Sequence, residues 1–95
     1  QEITVKMDVI KKSESTYNAI QTKVSDAIKT YLKELTLNSR SDEIVIRYNN
    51  VSALISNISD IVDFDNLLVN GGKVNVACDK YHVPVIGEVE VNGNL

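Results

Sequence analysis

The chain has 95 residues, 43% apolar and 24% charged, close to the globular average, which argues against disorder. A net charge of −3 and a pI near 5.0 argue against a nucleic-acid binder, which would show a basic face. This length makes one domain, residues 1–95, burying roughly 60–65% of its unfolded surface, and the single cysteine, Cys78, leaves packing alone to hold it.

Residues 3–10 alternate, with Ile3, Val5, Met7 and Val9 on one side and Thr4, Lys6 and Asp8 on the other. Period-two alternation with β-branched residues predicts a strand with one buried and one wet face. Ser13 and Ser15 are able N-caps, and Glu14 would complement a helix dipole. Tyr17, Ile20, Val24, Ile28, Tyr31 and Leu35 then recur at three- and four-residue steps, widened by Ala27 and Leu32. That stripe predicts an amphipathic helix ending near residues 35–38, with Lys23, Asp26, Lys29 and Lys33 on its wet side.

The polar run Thr36 to Ser41 favours a turn. Ile44, Ile46 and Tyr48 alternate with Val45 and Arg47 as a short second strand. Asn49 or Asn50 is expected to cap a second helix carrying Val51, Leu54, Ile55 and Ile58, with Asp60 as a left-handed stop. A third strand over 61–69 loses its alternation at Asp65-Asn66, where a bulge is expected. Asn70-Gly71-Gly72 supplies a turn, and Val74, Val76 and Cys78 are read as a fourth strand running back from it.

Asp79 to His82 forms an exposed connection, and Pro84, lacking a ladder donor, belongs at the entry of the last strand. Val85, Val89 and Val91 are expected to face the core, with Gly87 in the same phase, and Ile86, Glu88 and Glu90 to face outward. The order β-α-β-α-β-β-β, with one-sided helices and strands, predicts an α+β two-layer sandwich. Both helices pack on one face of a mixed sheet.

Few residues suit chemistry. His82 is the lone histidine, so any Ser-His or Cys-His mechanism must use it. Cys78, Asp79 and His82 stand too close in sequence to reach tetrahedral geometry without a fourth ligand. The reading preferred is a buried Cys78 and an exposed His82. Asp60, Asp63 and Asp65 lack the central Gly and terminal Glu of a calcium loop. Asn70-Gly71-Gly72 is not followed by the Lys-Ser/Thr pair of a phosphate cradle. Neither a cofactor nor a small-molecule substrate is expected, and no segment approaches the roughly 18–20 apolar residues that span a bilayer. Interface candidates are the loop tips: Asn70, Gly71 and Gly72, with Tyr81 and His82, Tyr81 being the best anchor.

The order of many weak motifs resembles the C-terminal domain of the baseplate J-like proteins of contractile phage tails. Tyr31-Leu32 and Leu35 match the helix end, and Val51-Ser52-Ala53-Leu54-Ile55 with Ile58 the small helix. Ile61-Val62-Asp63, Leu67, Asn70-Gly71, Asn75-Val76 and Val83-Pro84-Val85-Ile86-Gly87 match the rest, so the likeness covers about residues 3–92. Asp60, and the loop from Asn38 through Ser41, stand where the family often carries Gly. The resemblance implies a non-catalytic structural protein, assembled in the bacterial cytoplasm into the virion tail baseplate of a phage or prophage. Its partners would be other wedge proteins and copies of itself. With Gln1 first in place of Met, the chain is expected to be the C-terminal piece of a longer baseplate protein. The alternative is a stand-alone α+β domain that binds a small ligand or regulates an attached enzyme.

Overall fold

The computed structural model describes residues 1–38, 43–79 and 81–95. Of the turn predicted over Thr36 to Ser41, Thr36, Leu37 and Asn38 instead belong to the long helix, while Ser39 to Ser41, like Lys80 of the predicted connection, lie outside the described residues. The elements run β1 (Glu2–Lys11), α1 (Tyr17–Asn38), β2 (Glu43–Ile46), α2 (Tyr48–Ser56), β3 (Ile61–Val69), β4 (Val76–Asp79) and β5 (Val85–Asn92). The order β-α-β-α-β-β-β and the α+β class are those the sequence predicts.

β1 is the central strand of a mixed sheet ordered β3-β1-β5, antiparallel to β3 and parallel to β5. Ile3, Val5, Met7 and Val9 are all at most 2% exposed, which is the alternation of the sequence made physical. They meet Ile20, Val24, Ile28 and Leu32 of α1 and Val51 and Ile55 of α2 in one core. Burying each such side chain stabilises by roughly 1.5–3 kcal/mol. Both helices therefore cover the same face of the sheet, α1 over the β5 side and α2 over the β3 side. The other face of β1 stays open.

The fourth strand corrects an expectation. Asn70 and Gly71 do turn the chain with positive φ (51° and 77°), and Val69 and Gly72 exchange both backbone hydrogen bonds, the φ signature of a type I′ turn. Past Gly72, however, the chain leaves β3. Val74 is 69% exposed, and β4 pairs with β2 in a separate antiparallel two-stranded sheet (Ile44 opposite Cys78, Ile46 opposite Val76). The turn was legible locally; the partner was decided by where Ile44, Ile46 and Cys78 could be buried.

The sheet has three register shifts, one of them between Ile10↔Asp63 and Lys11↔Ile61, and the other two re-aim side chains. Between Lys6↔Leu68 and Asp8↔Asp65, β3 takes three steps while β1 takes two, with Asn66 at φ 55°, as its broken alternation predicts. Between Ile3↔Ile86 and Val5↔Val89, β5 likewise takes the extra step. This second bulge overturns the predicted phase of β5. Ile86 packs against the core, whereas Val85 is 50% exposed. Val89 keeps its inward position, and Val91 is partly buried against the core.

The helix starts also differ. Thr16, not Ser13 or Ser15, caps α1: its Oγ1 accepts the Ala19 N–H at 3.1 Å. Glu14 lies before the helix and takes a hydrogen bond from Ser13. α2 begins at Tyr48, ahead of Asn49 and Asn50, and Arg47 at its N-cap gives no side-chain bond. Its free N–H groups are met from afar: Asn75 accepts from Tyr48 (2.9 Å) and the Tyr31 hydroxyl from Arg47 (3.2 Å). Asp60 is absent from the positive-φ residues, so it is no left-handed stop. It is a staple, joining Ser15 (3.0 Å) and Lys23 (2.8 Å) through its carboxylate and the Lys12 N–H through its carbonyl.

Candidate docking surfaces

The two predicted loop tips project toward the N-terminal end of β1, but their residues do different work. The Asn70 side chain turns back onto β1. Its Oδ1 accepts the Thr4 N–H at 2.8 Å, while its own N–H donates to the Thr4 carbonyl at 2.9 Å. Asn70 thus adds one rung to the sheet. Gly71 is the exposed tip, with nothing within 4 Å of a hypothetical Cβ, and Gly72 closes the turn. Gly71 also rims a shallow depression of about 270 Å³ on the open sheet face, lined by Thr4, Lys6, Leu68, Glu88 and Glu90.

In the second tip, Tyr81 is 81% exposed and its N–H donates to Asp79 Oδ1 at 2.9 Å. His82 Nδ1 lies 2.8 Å from the same oxygen, both side chains largely in solvent. The His82 hydrogen bond outweighs the opposing desolvation and, with help from the Tyr81 N–H, holds the Asp79 carboxyl below its ordinary value. The arrangement orders a loop. Cys78 points the other way, 4% exposed in the core, and burial pushes its thiol pKa up, away from the reactive thiolate. The Cys78–Asp79–His82 trio is therefore split between core and solvent. Among the described residues no three His, Cys, Asp or Glu side chains are grouped to hold a metal ion. No helix among them is long and apolar enough to cross a membrane.

The open sheet face carries Thr4, Lys6, Asp8 and Ile10 of β1, with Leu68, Asp65 and Asp63 of β3 and Glu90 of β5 beside them by register. It is acidic, with Asp8, Asp63, Asp65 and Glu90 against the single cation Lys6 among these residues. Asn92 and, next, Lys6 hold the Glu90 carboxyl below its ordinary value, the Lys6 ammonium sitting 3.3 Å away. Ile86, expected on this face, is on the other.

One surface was not foreseen. A groove follows the seam between α1 and β5, polar where Asn18, Ser25 and Asp26 face Gly87 and Glu88. A separate apolar hollow of about 380 Å³ lies between the same two elements, lined by Leu32, Pro84, Val85 and Ile86 together with Lys29 and Lys33. It requires the β5 bulge and the α1–β5 packing, neither of which local pattern discloses. Lys29 and Lys33 on the wet side of the helix were the only sequence signal for it.

The family described as Baseplate J-like protein C-terminal domain matches residues 3–92. A curated relative, the phage-like element PBSX protein XkdT of Bacillus subtilis (strain 168), is 16% identical over 91 residues. That alignment covers 96% of this chain and 25% of the relative, so the chain spans about a quarter of that protein's length.

Proposed function

Since the chain belongs to the Baseplate J-like C-terminal domain family, we propose that it is a structural component of a contractile phage or prophage-derived tail baseplate. In this reading it is one domain of a longer protein and works without catalysis, as a protein–protein docking block in wedge assembly, put together in the bacterial cytoplasm. The observation that carries the proposal is the family match across nearly the whole chain. The phage-like-element relative, matched along 96% of this chain, supports it.

The geometry supports it too. The polar side chains with strong contacts, Asp60, Asn70, Asn75 and Tyr31, all join one element to another. The three hollows named among the described residues are open grooves and depressions along seams and faces, unlike the closed, convergent pocket a small ligand takes. A rigid block with modest contacts gains from being repeated, because linked contacts multiply. The test is co-expression of the parent protein with the proteins encoded beside it, followed by affinity purification. Stable recovery with tail proteins is expected, and its loss when residues 1–95 are deleted. Recovery unchanged by that deletion contradicts a docking role.

A further inference from the structure

Two hollows succeed each other between α1 and β5. As α1 rises from Asn18 through Asp26 to Lys33, β5 runs down from Val89 through Gly87 to Pro84, so the two lie in line along the helix and the sheet edge. The line is graded in charge. Asp26 and Glu88 belong to its polar end, while Lys29 and Lys33 flank the end whose floor is Leu32, Pro84, Val85 and Ile86. The two lysines stand one helical turn apart, a spacing at which like charges repel. Among the described residues neither takes part in an ion pair; the pairs formed are Lys6–Glu90, Lys23–Asp60 and His82–Asp79.

The strand beside these hollows is also open. β3 and β5 are the two edges of the sheet, and they differ. On β3 the N–H groups of Phe64 and Asn66 are taken by the carboxylates of Asp63 and Asp65, and Asn66 sits at φ 55°. Irregularities and charges of this kind blunt an edge against a further strand. On β5 the side-chain bonds join side chain to side chain, Asn92 to Glu90 and Lys6 to Glu90. Val85, half exposed, lies where edge and apolar hollow meet.

We propose that an extended segment of a different baseplate protein lies along β5 as an added strand. It places an apolar side chain in the hollow and carboxylates against Lys29 and Lys33. Backbone hydrogen bonds to a free edge give affinity, and the hollow with its two cations selects the sequence. Charge sets the direction: Asp26 and Glu88 repel carboxylates, so the acidic end of the segment is held at the lysines. The contact deepens the docking reading above by naming the chemistry of the partner, and it rests on that reading for the partner's being a baseplate protein. Its charges are exposed, so it weakens as salt screens them.

The test is photo-cross-linking in tail particles assembled with the parent protein. A compact diazirine amino acid replaces Val85 in one preparation and Tyr81 in another, and the captured peptides are identified by mass spectrometry. The Val85 probe should capture a segment of another tail protein that carries Asp or Glu beside an apolar residue. K29E/K33E should lower that capture several-fold, with circular dichroism of the 95-residue chain confirming that the variant is folded. Changing the captured carboxylates to lysine should then restore it; where K29E/K33E blocks assembly, the restored formation of particles is read in its place. Capture of a like copy, of the parent's own residues outside 1–95, or of a segment without carboxylates overturns the proposal. So does capture that charge reversal leaves unchanged, or that the compensating change fails to restore. If Tyr81 captures tail proteins and Val85 captures nothing, the added strand is removed and the docking reading stands. If neither probe captures a neighbour in complete particles, both are removed.

Discussion

β1 and β5 are neighbours in one sheet, both rich in β-branched residues, yet one follows its sequence pattern and the other does not. Along β1 the alternation Ile3, Val5, Met7, Val9 maps without a break onto the buried face. Along β5 the same alternation would bury Val85, but an extra residue between Ile86 and Val89 turns Ile86 inward and Val85 out. β1 is paired on both sides and its register is over-determined; β5 is an edge and can absorb a bulge. The strand that specifies the core is the one whose sequence reads plainly. The strand that departs from its pattern is the one that builds an outward surface.

The largest effect should come from β1 and what it packs against. Met7→Ala and Ile28→Ala remove fully buried side chains and should each cost about 2–5 kcal/mol in urea unfolding. A loss under about 1 kcal/mol for both would mean that this face is not the core.

The bulge on β5 is tested by a pair. Ile86→Ala should cost about 1–3 kcal/mol, whereas Val85→Ala should stay within about 0.5 kcal/mol. The reverse ranking would restore the unbroken alternation and remove the floor of the hollow. Next comes the rung at the tip of β3. Asn70→Ala loses the bond to the Thr4 N–H and strains a φ of 51°, so about 1–2 kcal/mol should be lost. Asn70→Gly keeps the φ and should lose less.

A smaller effect belongs to the staple near the far end of β1. The hydrogen bond from Lys23, and then that from Ser15, hold the Asp60 carboxyl below its ordinary 3.8. A depressed acid binds its proton less readily folded than unfolded. Its stabilising contribution is therefore complete above the unfolded value and is lost as pH falls through about 4 and below. Unfolding curves from pH 6 to pH 3 should show this decline, and Asp60→Asn should flatten it. An unchanged slope in that variant would assign the acid sensitivity to other carboxylates.

What the sequence disclosed, and what it withheld, divides along the same line. Both helices, the bulge at Asn66 and the turn at Asn70-Gly71 follow from periodicity and backbone chemistry within a few residues. The cap of α1 was missed by one residue, Thr16 having been passed over for two serines equally able to cap. The cap of α2 could not be read locally, because Asn75 and Tyr31 reach it from elsewhere in the chain. The same holds for β4, whose pairing with β2 in place of β3 is a decision of the core. Of the loop residues singled out as interface candidates, Gly71, Tyr81 and His82 are exposed, while Asn70 has its side chain committed to Thr4. The hollow rimmed by Lys29 and Lys33 needed three-dimensional packing to exist at all.

The central claim is that this fold serves as a docking block within a tail baseplate. Cryo-electron microscopy of tail particles from cells producing the parent protein tests it most directly. The account predicts density for the β3-β1-β5 sheet and its two helices within the baseplate, with a neighbouring subunit packed against it. Complete particles whose baseplate lacks this fold, or holds it touching no neighbour, would contradict the account.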